Sequence, residues 1–429
     1  MSLNDLLRAR EESGNPIRVA LVGAGQMGRG MISQMERMMT GMCVVAVADI
    51  VLDRVISAYQ EAGIPNEGIA VVEDRQGAEK AVEQGKRVAT RNALLLPELS
   101  STEVVIEASG VPDVGARVAF HSILHKKHVV MLNVETDVTV GYLLKSLADN
   151  AGVVYTVSAG DEPGATKELY DFASAMGFRI VAAGKGKNNP LDREATPDKL
   201  AAEAAAKKMS PKMLCTFVDG TKTMVEMTAL SNATGLTVDR RGMHGPVATV
   251  EQLPQLFSLQ SQGGILRQEG VVDYALGSVA PGVFVIVTTD QGAVIEDLQY
   301  LKVGHGPNWV FYRPYHLANL ETPLSAARAV LLGETTIATV RKPIAETITV
   351  AKRDLKVGEK LDGIGQCTFY GSIERADIAT QEGLLPLGLA QGAVLLADVA
   401  KGQPLTYDQV ALDPKSMIVH LRALQDHMS

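Results

Sequence analysis

The chain has 429 residues, of which 46% are hydrophobic and 21% are charged. This composition is typical of globular proteins and excludes bulk disorder and fibrous repeats, and the length predicts two to three domains. The net charge of −8 disfavours a nucleic-acid-binding surface. The chain contains no run of about 18 apolar residues, so no membrane span is expected.

The first residues and the cysteine spacing indicate the cellular compartment of the protein. The first residues, MSLNDLLRAREESG, carry charges where a signal peptide needs an apolar stretch. The spacing of Cys43, Cys215 and Cys367 fits neither a zinc ribbon nor a disulfide framework. We therefore expect a cytoplasmic protein in a thiol-reducing compartment.

Apolar strands alternate with helix-length segments over roughly residues 1–157. The predicted strands are 17–22, 43–49, 104–108, 128–132 and 153–157, and the predicted helices are 31–39, 114–125 and 139–150. Continuous apolar strands separated by helices are typical of a parallel sheet covered on both faces. We expect an α/β fold with a doubly wound Rossmann domain.

A glycine-rich turn joins the first predicted strand to the first predicted helix. Its first glycine allows a tight turn, its second lets the backbone approach a pyrophosphate, and its third lets helix and strand pack closely. The helix N-terminus attracts the phosphate charge. An ordinary strand–loop–helix turn is the alternative, but this context favours a dinucleotide site. The predicted cofactor-binding residues of the turn are Gly23, Gly25, Gln26, Met27 and Gly28.

Two residues after the second strand bear on the choice of cofactor. Asp49 lies 21 residues after Gly28, where an acidic side chain binds the adenosine ribose, and its charge favours NAD. Arg54, five residues later, could instead clamp the 2′-phosphate of NADP. The alternative for Arg54 is a solvated helix residue.

Polar residues follow two later strands. Ser109 and Gly110 follow one, and Asn133 and Glu135 follow the next. Ligands of such sheets bind beyond the carboxyl ends of the strands, so these residues should face the nicotinamide. The alternative for Asn133 and Glu135 is capping of the following helix.

The middle of the chain holds candidate catalytic groups. Asp161 and Glu162 could be acid–base groups or metal ligands, or they could cap the next helix and complement its dipole. Lys185, Lys187 and Asn189 lie in a predicted polar loop after a strand at 180–183, which suits an anionic ligand. A solvated basic turn is the alternative to this anion site.

Residues 213–233 could form one helix or two, interrupted near Gly220. A continuous helix would place Asp219, Lys222 and Glu226 on one face. Lys222 is a possible proton donor to a reduced carbonyl, and a surface ion pair with Glu226 is the alternative. His244 follows in a loop, where it could bind a ligand or be merely exposed.

Residues 304–316 contain four of the 19 aromatic residues, including the only tryptophan. They could form a buried strand or, with His305, Arg313 and His316, a ligand wall. His316 is a candidate acid–base group because histidine titrates near neutrality. From about Lys342, glycine turns and short apolar runs predict a small β domain with a structural or assembly role.

These motifs resemble known families. The glycine turn, Glu107-Ala-Ser-Gly-Val-Pro112 and His128-Val-Val-Met-Leu-Asn133 resemble the nucleotide domain of homoserine dehydrogenases, and AKRDLKVGEKLD resembles a SAF domain of β-clip fold. Together with AGDEP, AGKGKNNPLD, DGTKTMVEM, MHGP and FYRPYHL, they resemble the 1-deoxy-D-xylulose 5-phosphate reductoisomerase-like family over nearly the whole chain. Val134 stands where homoserine dehydrogenases usually have lysine, which disfavours homoserine as substrate.

The resemblance implies an activity and a domain plan. Characterised members of this family convert 1-deoxy-D-xylulose 5-phosphate to 2-C-methyl-D-erythritol 4-phosphate with NADPH, in isoprenoid biosynthesis. The implied regions are a Rossmann domain (1–157), an α+β catalytic and dimerisation domain (158–341), of which about 315–335 returns to the first domain, and a SAF-like domain (342–429). A homo-oligomer, dimer or tetramer, is expected.

The resemblance also implies roles at the site. The substrate phosphate would lie on Lys185, Lys187 and the amides near Asn189, while Lys222, Asp161 or Glu162 would move protons. A divalent ion on the carboxylates is implied only by analogy with other reductoisomerases. Two other hypotheses stay open: a dehydrogenase of an unphosphorylated hydroxy acid, amino acid or sugar acid, and a dinucleotide-binding assembly protein without turnover.

Overall fold

The computed structural model describes residues 1–428, and the chain divides into two compact units. The first comprises residues 1–161 and Leu317–Val340, together with the chain from His420 on. The second comprises Glu162–His316 and Arg341–Val419. The expected SAF-like domain (342–429) is thus divided, with the chain up to Val419 in the second unit and the chain from His420 on in the first.

The first unit contains alternating helices and strands over residues 1–161. They are α1 (Leu3–Glu12), β1 (Ile17–Val22), α2 (Gln26–Arg37), β2 (Met42–Ala48), α3 (Leu52–Glu61), β3 (Ile69–Val71), α4 (Arg75–Glu83), β4 (Arg87–Thr90), α5 (Leu95–Glu98), β5 (Val104–Glu107), α6 (Pro112–Leu124), β6 (His128–Met131), α7 (Val134–Ala151) and β7 (Tyr155–Val157).

Its seven strands form one parallel sheet in the order β3-β4-β2-β1-β5-β6-β7. In β1, Val19 and Leu21 belong to one buried cluster and Ala20 and Val22 to another. Both faces of the strand are thus covered, which explains its uninterrupted apolar sequence. The predicted doubly wound α/β fold is confirmed.

Several details differ from the expectation, and α1, α3, α4 and α5 were not predicted. Helix α2 begins at Gln26, before the predicted start at residue 31, because the glycine motif itself forms the first helical turn. Helix α7 begins at Val134 rather than 139. Strands β3 and β4 were not predicted.

The second unit begins with a mixed α/β segment. Its elements are α8 (Glu162–Ala175), β8 (Arg179–Lys187), α9 (Pro197–Ala206), α10 (Pro211–Val218), α11 (Thr221–Thr234), β9 (Val247–Ala248), α12 (Leu253–Leu256), β10 (Val271–Gly277), β11 (Val283–Thr288), α13 (Gly292–Tyr300) and β12 (Asn308–Arg313). The strands form a sheet in the order β12-β11-β8-β10-β9.

Strand β8 lies in the centre of this sheet and runs through Lys187, so Lys185 and Lys187 are on a strand and not in the predicted loop. Gly184 and Gly186 are the reason for the error, since they read as turn residues. A Cβ at Gly184 would lie 1.8 Å from the Asp273 carbonyl oxygen, and one at Gly186 would lie 2.2 Å from the Ala280 nitrogen. The glycines serve close backbone packing, not a turn.

The rest of the chain returns to the first unit and then to the second. Helix α14 (Ala318–Leu332) lies in the first unit, where Gln34 Nε2 donates to the Leu320 carbonyl at 2.8 Å. Strands β13 (Ala345–Ala351) and β14 (Phe369–Arg375) form an antiparallel pair. The remaining elements are α15 (Ala376–Gln381), α16 (Leu387–Ala390), β15 (Val394–Leu395), β16 (Val410–Ala411) and α17 (Met417–Asp426).

Across residues 1–428, none of the helices combines the length and the apolar character that a bilayer crossing requires.

Candidate active site

The glycine turn has the geometry of a nucleotide loop. Gly23 has φ +100°, and a Cβ there would lie 2.6 Å from the Ala108 carbonyl oxygen. A Cβ at Gly28 would lie 1.9 Å from the Gly23 carbonyl oxygen. Gly25 is exposed and caps α2 without a side-chain hydrogen bond, and a Cβ there would meet nothing within 4 Å. The approach to the α2 N-terminus is therefore open to a phosphate.

Asp49 lies at the end of β2 beside this turn. Its Oδ2 accepts from the Ala24 N–H at 2.8 Å, and its Oδ1 accepts from the Val51 N–H at 2.9 Å. Each carboxylate oxygen can accept a further hydrogen bond, so the position remains suited to a ribose hydroxyl. Arg54 is exposed near the start of α3, as Gln26 and Met27 are at the start of α2.

The other predicted cofactor residues lie beyond β5 and β6. Ser109 is half-buried and Gly110 exposed. Asn133 caps α7, since its Oδ1 accepts from the Thr136 N–H at 3.3 Å, and its Nδ2 donates to the Val111 carbonyl at 3.0 Å. Glu135 lies in the first turn of α7. The capping alternative thus describes the position of Asn133.

Glu107 at the end of β5 is an ionisable residue that sequence reasoning did not single out. Burial raises its pKa to about 7, although hydrogen bonds from Ser109 and Asn133 act in the opposite direction. Its Oε1 accepts from the Ser109 N–H at 3.0 Å. The sequence signal was available, because an acidic residue ending an otherwise apolar strand is unusual.

A buried lysine lies at the centre of the second unit. Lys185 Nζ donates to Glu162 Oε1 at 2.5 Å and also to Glu226. Burial alone lowers the pKa of Lys185, but the charges of Glu162 and Glu226 outweigh it, so the pKa is raised. The ammonium therefore stays protonated, as a buried charge with two counter-ions does.

Two further predicted groups adjoin these carboxylates. Lys222 Nζ lies 3.7 Å from Glu226 Oε1, one helical turn apart on α11. His316 Nε2 lies 3.4 Å from Glu162 Oε1, and its Nδ1 is 2.8 Å from the Pro281 carbonyl oxygen. Because a carbonyl oxygen only accepts, Nδ1 carries a proton, and Nε2 is the atom at which His316 can exchange one.

The structure therefore brings together four predicted residues and their partner Glu226, which we call the lysine–glutamate cluster: Glu162, Lys185, Lys222, Glu226 and His316. Asp161 is buried and precedes Glu162 in the chain as the last residue of the first unit.

The ammonium of Lys187 contacts backbone carbonyls instead of the carboxylates that Lys185 contacts. Lys187 Nζ donates to the Asn189 carbonyl at 2.5 Å and to the Pro190 carbonyl at 3.3 Å. Burial, and then the charge of Lys185, lower its pKa to about 8. Asn189 thus meets Lys187 through its backbone.

The negative charge of Asp219 acts to raise the pKa of Lys187, against the effects of burial and of Lys185. Asp219 also forms an ion pair with a lysine far along the chain. Lys352 Nζ lies 2.8 Å from Asp219 Oδ2, and both are buried. Asp219 is the C-cap of α10 and is not on α11, so it does not share a helix face with Lys222 and Glu226. Of the two alternatives for this region, two helices separated at Gly220 describe it, and Gly220 has a positive φ. Sequence reasoning missed Lys352, because nothing in a lysine-rich stretch marks one as buried.

Two further candidates, His244 and Trp309, make contacts that are typical of structural residues. His244 lies between Asp239, at 3.3 Å from Nε2, and Asp273, at 2.7 Å from Nδ1. Trp309 on β12 is 1% exposed and belongs to a core cluster. Of the two alternatives for residues 304–316, the buried strand describes Trp309.

The carboxylates of Glu162 and Glu226 could also serve a cation, because their oxygens lie within 4.8 Å of each other. Carboxylate pairs are typical ligands of divalent ions. Lys185 already contacts both groups, however, so a metal ion between them would have to displace its ammonium. The arrangement fits a lysine-centred site better than a metal site.

Comparison with known proteins supports a catalytic role for this region. Residues 160–322 match the family model described as oxidoreductase DRL, catalytic domain. This range contains every member of the lysine–glutamate cluster. No curated protein matches the sequence.

Solved structures of oxidoreductases are similar at low identity. A probable dehydrogenase from Thermotoga maritima is 14% identical, with a TM-score of 0.43, over 76% of this chain and 91% of that chain. Scyllo-inositol dehydrogenase from Lactobacillus casei, with NAD(H) and scyllo-inositol, is 13% identical, with a TM-score of 0.38, over 65% and 75%. The 1-deoxy-D-xylulose 5-phosphate reductoisomerase from Zymomonas mobilis, with NADPH, is 17% identical, with a TM-score of 0.34, over 49% and 57%.

The match of residues 160–322 to the oxidoreductase family model decides the class. The hypothesis of an assembly protein without turnover is thereby disfavoured. The protein is an oxidoreductase, and its enzymatic nature is confirmed.

Proposed function

We propose that this oxidoreductase transfers a hydride between a nicotinamide dinucleotide and a small polar substrate that carries a carbonyl or hydroxyl group. The observation that carries the proposal is the buried ammonium of Lys185, which contacts Glu162 and Glu226 inside the segment matched as a catalytic domain. The open glycine turn with Asp49 beside it supports the choice of cofactor.

In the reductive direction a bound reduced nicotinamide would supply a hydride to the substrate carbonyl carbon, and a side chain of this protein would supply the proton to the carbonyl oxygen. We assign the proton to Lys222, which lies at the edge of the cluster beside Glu226. His316, which faces Glu162 through Nε2, would return a proton to the cluster. Lys185 holds the two carboxylates in place and offsets their charge.

The reductoisomerase reaction is the specific candidate that the sequence motifs imply. It requires the substrate phosphate to be recognised, for which Lys185 and Lys187 were the predicted residues. Lys185 contacts two carboxylates and Lys187 two carbonyls, so a phosphate would have to compete with these contacts. This observation favours a second candidate, the dehydrogenation of an unphosphorylated hydroxyl substrate.

A matched pair of substrates separates the candidates. Oxidation of NADPH and NADH is measured with 1-deoxy-D-xylulose 5-phosphate and with 1-deoxy-D-xylulose, beside a panel of polyols and hydroxy acids. If the enzyme recognises the phosphate, its kcat/KM should be at least 100-fold lower with 1-deoxy-D-xylulose than with 1-deoxy-D-xylulose 5-phosphate. Turnover only of unphosphorylated compounds establishes the second candidate. No change in either nucleotide with any substrate, in either direction, would refute the proposal of hydride transfer.

A further inference from the structure

A second group of chemically active side chains lies in the first unit, outside the nucleotide loop. The potential ligand atoms of Glu98, His121 and His125 all lie within 4.8 Å of one another. All three side chains are partly buried, so they are held by the fold and still reachable from solvent. Two imidazoles and one carboxylate are a ligand set that zinc uses in proteins.

The backbone explains why these residues meet. His121 lies on α6 and His125 is its C-cap residue, four positions later, so both rings project from the same side of the helix. Their centroids are 4.5 Å apart. Glu98, the last residue of α5, reaches the same place from 23 positions earlier in the chain, with its Oε1 3.2 Å from His121 Nε2.

A hydrogen bond orients the ring of His125 as a metal ligand requires. His125 Nδ1 is 2.9 Å from the His121 carbonyl oxygen, which can only accept, so Nδ1 carries the proton and Nε2 is left for coordination. Metal-binding histidines typically donate their second ring nitrogen to a carbonyl in this way. Two ligand atoms on a tetrahedral zinc ion are roughly 3.3 Å apart, since each lies about 2.0–2.1 Å from the metal. The separation of His121 Nε2 and Glu98 Oε1 matches that value.

The location separates this cluster from the nucleotide loop. Helix α6 begins just after the carboxyl end of β5, and the cluster lies near its other end, about 18 Å away at 1.5 Å per residue. A metal ion here would therefore not touch the cofactor. It would link α5 to α6.

We propose that Glu98, His121 and His125 bind one zinc-type divalent transition-metal ion, which ties α5 to α6 and stabilises the first unit. Water would fill the fourth position.

The test uses the full-length protein without an affinity tag. Calorimetric titration with Zn²⁺ is expected to give one site per chain with a Kd below about 10 μM, and the melting temperature is expected to rise with added Zn²⁺. Co²⁺ in its place should give the visible absorption of a tetrahedral site. His121→Gln, His125→Gln and Glu98→Gln should each weaken Zn²⁺ binding at least tenfold and leave oxidoreductase activity unchanged.

His305→Gln is the matched control, because His305 is exposed and lies in the second unit. It should bind Zn²⁺ as the wild type does. Wild-type binding that is no tighter than that of the His121→Gln variant overturns the proposal, as does a loss of binding in the control. The isosteric Glu98→Gln variant keeps the test valid if a histidine variant does not fold.

Discussion

The carboxylate of Asp49 accepts a hydrogen bond from the N–H of Ala24 at 2.8 Å, which joins the end of β2 to the glycine turn that follows β1. The residue expected to bind the adenosine ribose is thus held in place by the loop expected to bind the pyrophosphate. Because Ala24 fixes the position of the Asp49 carboxylate, substitution of Asp49 can test whether its charge sets the cofactor preference.

The first prediction concerns NAD and NADP. Asp49→Asn keeps an oxygen that can accept from Ala24 but removes the charge that repels a 2′-phosphate, so the NADPH/NADH affinity ratio should rise about tenfold, which corresponds to about 1.4 kcal/mol. If Arg54 clamps that phosphate, Arg54→Ala should weaken NADPH binding alone. Fluorescence titration with both nucleotides measures these changes. An unchanged ratio in the Asp49 variant contradicts the assigned role.

The second prediction concerns the packing of the turn. In Gly28→Ala the new Cβ would lie 1.9 Å from the Gly23 carbonyl oxygen, so helix and turn must separate. We expect loss of dinucleotide binding and a destabilisation of about 2 kcal/mol, read from isothermal titration and urea unfolding. Gly292→Ala is the control, because a Cβ there meets nothing within 4 Å. Equal effects of the two variants would contradict the packing argument.

The third prediction concerns Lys222. Replacing it by alanine removes the proposed proton donor, so kcat should fall by about 10²–10⁴-fold with little change in KM. Lys207→Ala is the control, since Lys207 pairs with Glu203 across one helical turn at 2.7 Å but is exposed. The control variant should keep its activity. Steady-state kinetics measure both variants. A normal kcat in Lys222→Ala would exclude Lys222 as the proton donor.

The fourth prediction concerns pH and stability. Burial raises the pKa of Asp137 to about 7, although Tyr155 donates a hydrogen bond to its carboxylate at 3.0 Å. The protonated form is favoured in the folded state, so its stabilising contribution is complete below about pH 4 and is lost as the pH rises to about 7, by at most about 4 kcal/mol. Asp137→Asn cannot ionise and should gain about 2 kcal/mol over the wild type between pH 5 and pH 8.

Urea unfolding at the two pH values measures this difference. Asp149→Asn serves as control, because Asp149 is on the same helix but exposed, and we expect a change below about 0.5 kcal/mol. A gain of equal size in the control would show that burial of Asp137 is not the cause.

The fifth prediction concerns metal dependence of the reaction. Because Lys185 contacts both Glu162 and Glu226, the proposed hydride transfer should continue after treatment with EDTA, and added Mg²⁺ should not raise kcat. A strict requirement for Mg²⁺ would mean that the ion replaces the ammonium between the carboxylates. Lys185→Met is the sharper variant, since removal of the ammonium should destabilise the protein by about 3–5 kcal/mol unless a cation takes its place.

Local sequence determined the central strands of the first unit and its nucleotide loop. Five of its seven strands follow from apolar runs, and the nucleotide loop follows from Gly23, Gly25 and Gly28, because steric needs of a turn are met within a few residues. The same local reasoning failed at Gly184 and Gly186. They accommodate the close approach of Asp273 on the neighbouring strand β10 and of Ala280 in the connection between β10 and β11.

The charges of the candidate active site depend on contacts that a sequence does not display. Lys185 was predicted as an exposed anion-binding residue from its neighbours, but Glu162 and Glu226, 23 residues before it and 41 after it, bury and neutralise it. Lys352 reaches Asp219 over 133 positions. The sequence therefore determined which ionisable groups are available to the site. The tertiary structure decided the charge that each group carries, because burial and long-range pairing act through space and not along the backbone.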